Sequence, residues 1–241
     1  LIIIGAVGWY AIARIGDARA IGKLEAAIAK RGEPLTLREL ARSYPPVPDE
    51  ENAAVALLDV WEKEDQPYWS AFRQRKRPLP SRPEKKFDTN LPYLGEVKFT
   101  TGQQLTAASR QAINRFLSER RDHIAAVRAA VQRPHSRFPI ALEDGPAVLV
   151  VPHLSAIKGE AQSLRLVALL ASEQDNPGEA LTALEDIVRL ANTLANEPVS
   201  FSQLVRATLL EIAISATEDL LCRRAPTAED FDRLKRMLGA I

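Results

Sequence analysis

One cysteine, Cys222, rules out an internal disulfide and any cysteine-rich zinc site. Three histidines are present, His123, His135 and His153, with no partner at i+4, so HExxH and Cys2His2 patterns are missing. GxSxG, glycine-rich phosphate loops and DxD-like carboxylate pairs are also absent. One SxxK spacing, Ser155 to Lys158, stands without the companion motifs of that nucleophile and reads as chance. These absences leave no residue to assign as catalytic, cofactor-binding or metal-ligating, and no cofactor is expected. Glycine is scarce, at 11 of 241 residues, while 46% of the chain is hydrophobic and 26% charged, which suits a globular chain with a sizeable core.

The opening fifteen residues, LIIIGAVGWYAIARI, are uncharged up to Arg14. A bilayer span needs about twenty apolar residues. Because this run starts within an apolar stretch, it reads as the inner end of a transmembrane helix cut upstream, giving a single-pass membrane protein whose orientation stays open. Five cations between Arg14 and Arg31 mark the exit, and Ile15, Ile21, Leu24 and Ile28 carry an apolar stripe toward Gly32 that should pack on the body.

Net charge is +1, but it is unevenly spread: 23 cations face 16 anions through residue 140, and 9 face 15 after it. Much of the excess lies in Arg73 to Lys86, where seven cations meet only Glu84 and three prolines forbid a regular helix. A solvated loop is the plain reading. Contact with anionic lipid or an envelope polymer through Arg73, Arg75, Lys76 and Arg77 is the sharper one. No aromatic residue is interleaved to stack on bases, which argues against nucleic acid.

Beyond the first helix, Thr36 and Glu39 form a capping box, the YPPVP spacer is extended, and Asp49 caps a helix burying Ala54, Leu57, Leu58 and Trp61. Residues 66–102 read as irregular, and 103–132 as one helix carrying Ile113, Phe116, Leu117, Ile124, Val127 and Val131. A proline-rich connector leads through an extended Val148–Val151 to helices at 152–173, 179–196 and 200–223, the last burying Phe201, Leu204, Val205, Thr208, Ile212 and Ala216. A final helix starts at Thr227 and is still helical at Ile241, so both ends read as truncated. The expectation is an all-α irregular bundle of antiparallel hairpins, organised as 1–31, 32–102 and 103–241.

Residues Leu164 to Pro198 resemble a tetratricopeptide-type hairpin. Leu164, Val167, Ala168 and Ala171 match the first helix, Glu179 and Ala180 open the second, and Leu184 and Ile187 take the next packing positions. The larger arrangement, with RGEPLT, PPVPDEENAA, RPHSRFP, VPHL and EPVSFSQLVR, is similar to a group of bacterial membrane-anchored all-helical proteins. That likeness implies architecture and carries no activity.

Candidate ligand contacts are few. Arg133, His135 and Arg137 lie within five residues and suit an anion if the connector folds back, although pairing with acidic groups serves equally. His153 sits in an apolar segment and reads as a packed histidine. Gln203 and Arg206 share a face with Ser202. His123, Glu185-Asp186 and Glu218-Asp219 read as solvated surface. The leading functional reading is a membrane-anchored helical scaffold binding a protein or peptide partner. The rival is a hydrolase or transferase built from the 133–153 connector and the Gln203/Arg206 face.

Overall fold

The computed structural model describes residues 21–82, 86–95, 98–145, 151–223 and 225–239. Among these the regular structure is helical, with one isolated bridge between Asn52 and His135 and no strand, so the protein is all-α. The helices are α1 (21–30), α2 (Leu37–Ser43), α3 (Ala53–Glu64), α4 (Gln66–Arg73), α5 (Ala107–Glu119), α6 (Arg121–Ala130), α7 (Pro152–Glu173), α8 (Pro177–Asn192), α9 (Ser200–Arg223) and α10 (Ala228–Leu238).

The expected single-pass membrane localisation is corrected here: among the described residues no helix is long and apolar enough to cross a membrane. The opening stretch from which it was read lies outside the described residues, as do Val148–Val150 and the last two residues. The apolar stripe of the first helix is also not buried, since Ile21 and Leu24 are exposed.

The chain divides into two compact units, residues 1–45 with 141–149 and residues 46–140 with 150–241. In the first, α2 starts on the expected capping box, Thr36 accepting from the Glu39 amide and Glu39 accepting from the Thr36 amide, and it packs on the short turn Leu142–Asp144. The second unit is built around α7, which packs on α8, α9, α5 and α6, while α3 packs on α4 and α6. Pro152 opens α7 where its missing N–H would be unpaired anyway.

The helix expected at 179–196 runs Pro177–Asn192 and the last helix ends at Leu238; two larger differences have a plain cause. Gln66–Arg73 is a helix, because Pro67 falls in its first turn, where proline is tolerated, and Trp69 and Phe72 share one buried face. The 103–132 segment is two helices broken at Arg120, whose backbone leaves the helical region at φ −108° and ψ 13°. The apolar spacing from Leu117 to Ile124 is the same whether the helix continues or restarts, so periodicity could not reveal the break.

Residues 86–95 and 98–105 wrap the bundle without regular structure, yet they fill its core. Leu91 and Leu105 join Ala112 and Ile113 of α5 and Leu166, Leu169 and Leu170 of α7, with Tyr93, Leu94 and Phe99 packed against them. Buried carboxylates fasten this wrap. Asp219 of α9 accepts from the Tyr93 hydroxyl at 3.0 Å and the Gly102 amide at 2.8 Å, and Arg165 lies 3.5 Å from the Tyr93 ring centre. Burial raises the Tyr93 phenol well above its ordinary pKa, Arg165 opposing and Asp219 adding. Gly102 is required here twice over: its φ is +76°, and a Cβ would stand 3.2 Å from that of Cys222. The pairs expected at the surface therefore behave differently, since Asp219 and Asp186 are buried while Glu185 and Glu218 are not.

Glu173, at the end of α7, is held by the Leu105 amide at 3.0 Å, Arg110 at 2.8 Å and Arg223 at 2.6 Å. Burial pushes its carboxyl up, but these donors outweigh that and leave its pKa below the ordinary 4.5. A depressed carboxylate pKa adds stability that is complete above the unfolded value and fades as pH falls through the folded one. Thermal melts from pH 7 down to pH 3 should therefore show a steeper acid loss for the wild type than for Glu173→Gln; parallel curves would refute this role. Asp219→Ala, which strands Arg165 and two donors, should cost about 3 kcal/mol in urea unfolding.

Candidate functional site

In the second unit a cavity of about 350 Å³ lies between α3, α4, α5 and α7. Glu160 of α7 forms part of its wall. On that helix Ile157, Glu160, Ala161 and Leu164 fall at i, i+3, i+4 and i+7, and all four are buried. A carboxylate on a buried apolar stripe was the sequence signal for this site, and the sequence reading passed over it.

Glu160 Oε1 accepts from the Trp61 indole N–H at 3.2 Å and faces His123 Nε2 at 2.9 Å, with an Arg120 nitrogen 3.9 Å away. His123 Nδ1 lies 3.1 Å from Glu64, which Arg120 also approaches at 3.0 Å. Expected at the surface, His123 is instead clamped between two carboxylates, and both bonds form together only when both ring nitrogens carry hydrogen. Arg82 closes another side, donating to Asp65 at 3.0 Å and lying over Tyr68 at 4.7 Å and Trp69 at 5.1 Å. Trp61 and Trp69 are 4.7 Å apart between ring centres, so no planar group fits between them.

Next to the cavity, but sealed, His153 is fully buried between the Phe138 and Phe72 rings, at 4.3 and 5.6 Å. Its Nε2 points at both oxygens of the buried Glu197, at 3.0 and 3.1 Å. A carboxylate only accepts, so Nε2 bears the hydrogen. Ser202 also donates to Glu197. The carboxylate thus stands between serine and histidine, whereas a serine nucleophile needs the histidine next to it. The cluster locks the α8–α9 turn to the start of α7. Gln203 belongs to the same lock, donating to the Leu194 and Glu197 carbonyls at 2.9 and 2.7 Å, and Arg206 reaches Asn192 at 3.2 Å.

The 133–137 connector docks on the start of α3. Arg133 donates to the Asp49 and Asn52 carbonyls at 2.7 and 3.1 Å, and His135 pairs by backbone with Glu51 and Ala53. The Asn52 side chain, which caps α3 in place of the expected Asp49, exchanges hydrogen bonds with the Arg137 backbone. These groups gather around the α3 turn and His153 lies in its own enclosure, so the two sets do not converge on one opening. Of the basic segment, Arg73 ends α4 paired with Asp59 at 2.5 Å and Glu62 at 2.9 Å, while Arg75, Lys76 and Arg77 are exposed.

The outer face of α9 is the other notable surface. Phe201 and Leu204, expected in the core, are 70% and 64% exposed; Leu204 shares the outer side with the exposed Ile214 and Leu221, and Phe201 flanks it at the helix start. The opposite side buries Leu209, Ile212, Ala213, Ala216 and Leu220. Glu211 and Glu218 interleave with the outer apolar residues and make no ion pair among the described residues.

Comparison with known protein families, curated proteins and solved structures finds no match. No group of His, Cys, Asp or Glu among the described residues is arranged to hold a metal ion. Glu197→Ala, which leaves His153 and Ser202 without their acceptor, should cost about 3 kcal/mol of unfolding free energy. His135→Ala, at an exposed side chain, should change it by less than about 0.5 kcal/mol. Equal effects in urea titrations would contradict this division between a structural lock and a surface residue.

Proposed function

We propose that the protein is a helical scaffold that binds a protein partner along the outer face of α9. The observation that carries this reading is the exposed row Leu204, Ile214 and Leu221, with Phe201 flanking it, interleaved with Glu211 and Glu218, which make no ion pair among the described residues. Large exposed apolar side chains recurring along one helix of a folded domain mark an interaction surface. Leu204, Ile214 and Leu221 share about a third of the helix circumference, which suits a second helix laid against it, and the glutamates select a partner with Lys or Arg beside its apolar stripe. The α7–α8 pair supports the same reading as a tetratricopeptide-like hairpin, with Leu164, Ala168, Ala180, Leu184 and Ile187 buried at its packing positions. Such hairpins stack, and their open faces hold peptides and helices.

The test is titration of the labelled protein with a synthetic amphipathic helix bearing Leu at helical spacing and flanking Lys. Amide shifts should be confined to the Phe201–Leu221 face, and binding should weaken about tenfold or more in Glu211→Lys/Glu218→Lys or when 0.5 M salt is added. The folded state should survive both substitutions, which lie at the surface. No binding, shifts elsewhere, or indifference to charge reversal would overturn the proposal.

A further inference from the structure

The charges around the cavity between α3, α4, α5 and α7 cancel. Arg82 pairs with Asp65 and Arg120 with Glu64, while His123, held through both ring nitrogens, faces Glu160. Three cationic groups thus meet three carboxylates. An ion entering here would give up its water and find no opposite charge in excess, so the site suits a neutral molecule.

The rest of the wall is aromatic or small. Trp61, Trp69, Phe87, Leu94 and Phe116 supply apolar surface, and α7 adds Ser155, Gly159 and Ser163 at i, i+4 and i+8. Exposure falls along that row: Ser155 is exposed, Gly159 is half-buried and Ser163 is 4% exposed. Eight residues of α-helix rise about 12 Å, so the cavity runs inward along α7 from an open mouth to a buried floor. Gly159 widens its middle. It sits in the helix interior, where glycine weakens a helix relative to alanine; its φ is not in the left-handed region, and a Cβ there would meet nothing within 4 Å. Neither backbone geometry nor close packing requires glycine at this position.

Size and hydrogen bonding narrow the ligand further. An apolar cavity of about 150 Å³ holds one benzene ring. At about 350 Å³ this one has room for two fused rings. Water beside aromatic walls is poorly held, and an apolar group gains by displacing it. At the inner end Ser163 donates its hydroxyl hydrogen to the Gly159 carbonyl at 3.0 Å, which leaves the oxygen lone pairs to accept from one donor.

We propose that this cavity binds a neutral two-ring aromatic molecule with one hydrogen-bond donor, of the indole or naphthol kind. Its rings lie against Phe87, Leu94 and Phe116, and its N–H or O–H donates to Ser163 Oγ. The 4.7 Å between the Trp61 and Trp69 ring centres keeps it out of the space between those indoles. Binding is noncovalent and needs nothing from the α9 face.

Indole and 2-naphthol are the probes. 1-Methylindole lacks the donor, and 2-naphthoate and 2-naphthylmethylamine carry a charge of either sign. In a labelled protein both probes should saturably shift the indole resonances of Trp61 and Trp69 and the amides of Ser155–Ser163, leaving the outer face of α9 unmoved. The two charged analogues should bind at least about tenfold more weakly. Ser163→Ala should weaken indole about three- to tenfold and leave 1-methylindole unchanged. Gly159→Leu, which puts a side chain into the open space, should abolish binding of every neutral compound, so a folding defect of one variant does not decide the question. No response to either probe, a charged analogue that binds as tightly as 2-naphthol, a folded Ser163→Ala protein with undiminished affinity for indole, or a folded Gly159→Leu protein that binds unchanged would each overturn the proposal.

Discussion

The second unit turns on one buried carboxylate. Glu160 projects from the central helix α7 and engages Trp61 of α3 and His123 of α6, while Arg120, at the joint between α5 and α6, reaches toward it. A charge in this position has to be compensated, and the compensation comes from elements far apart in sequence. The break in the 103–132 helix follows from the same demand. Arg120 leaves helical geometry where its guanidinium meets Glu64 and His123 turns toward Glu160, so two helices replace one.

The same logic recurs at the other buried acids. Asp186 is shared by Gln132, Arg128 and Arg189, and burial raises its pKa against the pull of those cations. Asp219 and Glu173 fasten Tyr93, Gly102 and Leu105 of the wrapping segments, and Glu197 fastens the α8–α9 turn. Each joins an irregular segment or a helix end to the α7–α8–α9 core. A chain with so many proline-rich connectors uses anchored carboxylates where regular secondary structure would otherwise fix the path. Breaking one partner strands a charge, which makes these sites stiff and intolerant of substitution.

Much of this was legible. The helical spacing at 152–173 and 200–223 and the caps at Thr36 and Thr227 matched the structure because they depend on local chemistry. What was hidden is the identity of the neighbours. Glu185-Asp186 and Glu218-Asp219 look like surface pairs, and only tertiary packing decides that the aspartate of each goes inward. On α9 apolar residues recur all round the helix, so periodicity could not tell the buried Leu209 and Ile212 from the exposed Phe201 and Leu204. His123 shows the same limit: on a charged helix it reads as solvated, and its burial depends on two glutamates, 59 residues earlier and 37 later. The apolar first fifteen residues suggested a location that no described helix supports.

A double-mutant cycle between His123 and Glu160 tests the central interaction most directly. Unfolding free energies of His123→Ala, Glu160→Ala and the double variant, from urea titrations, should reveal a coupling above about 1 kcal/mol, with the double variant less destabilised than the sum of the singles. Strict additivity would mean that the two side chains stand side by side without interacting, and that Glu160 is not the tie that joins α3, α6 and α7.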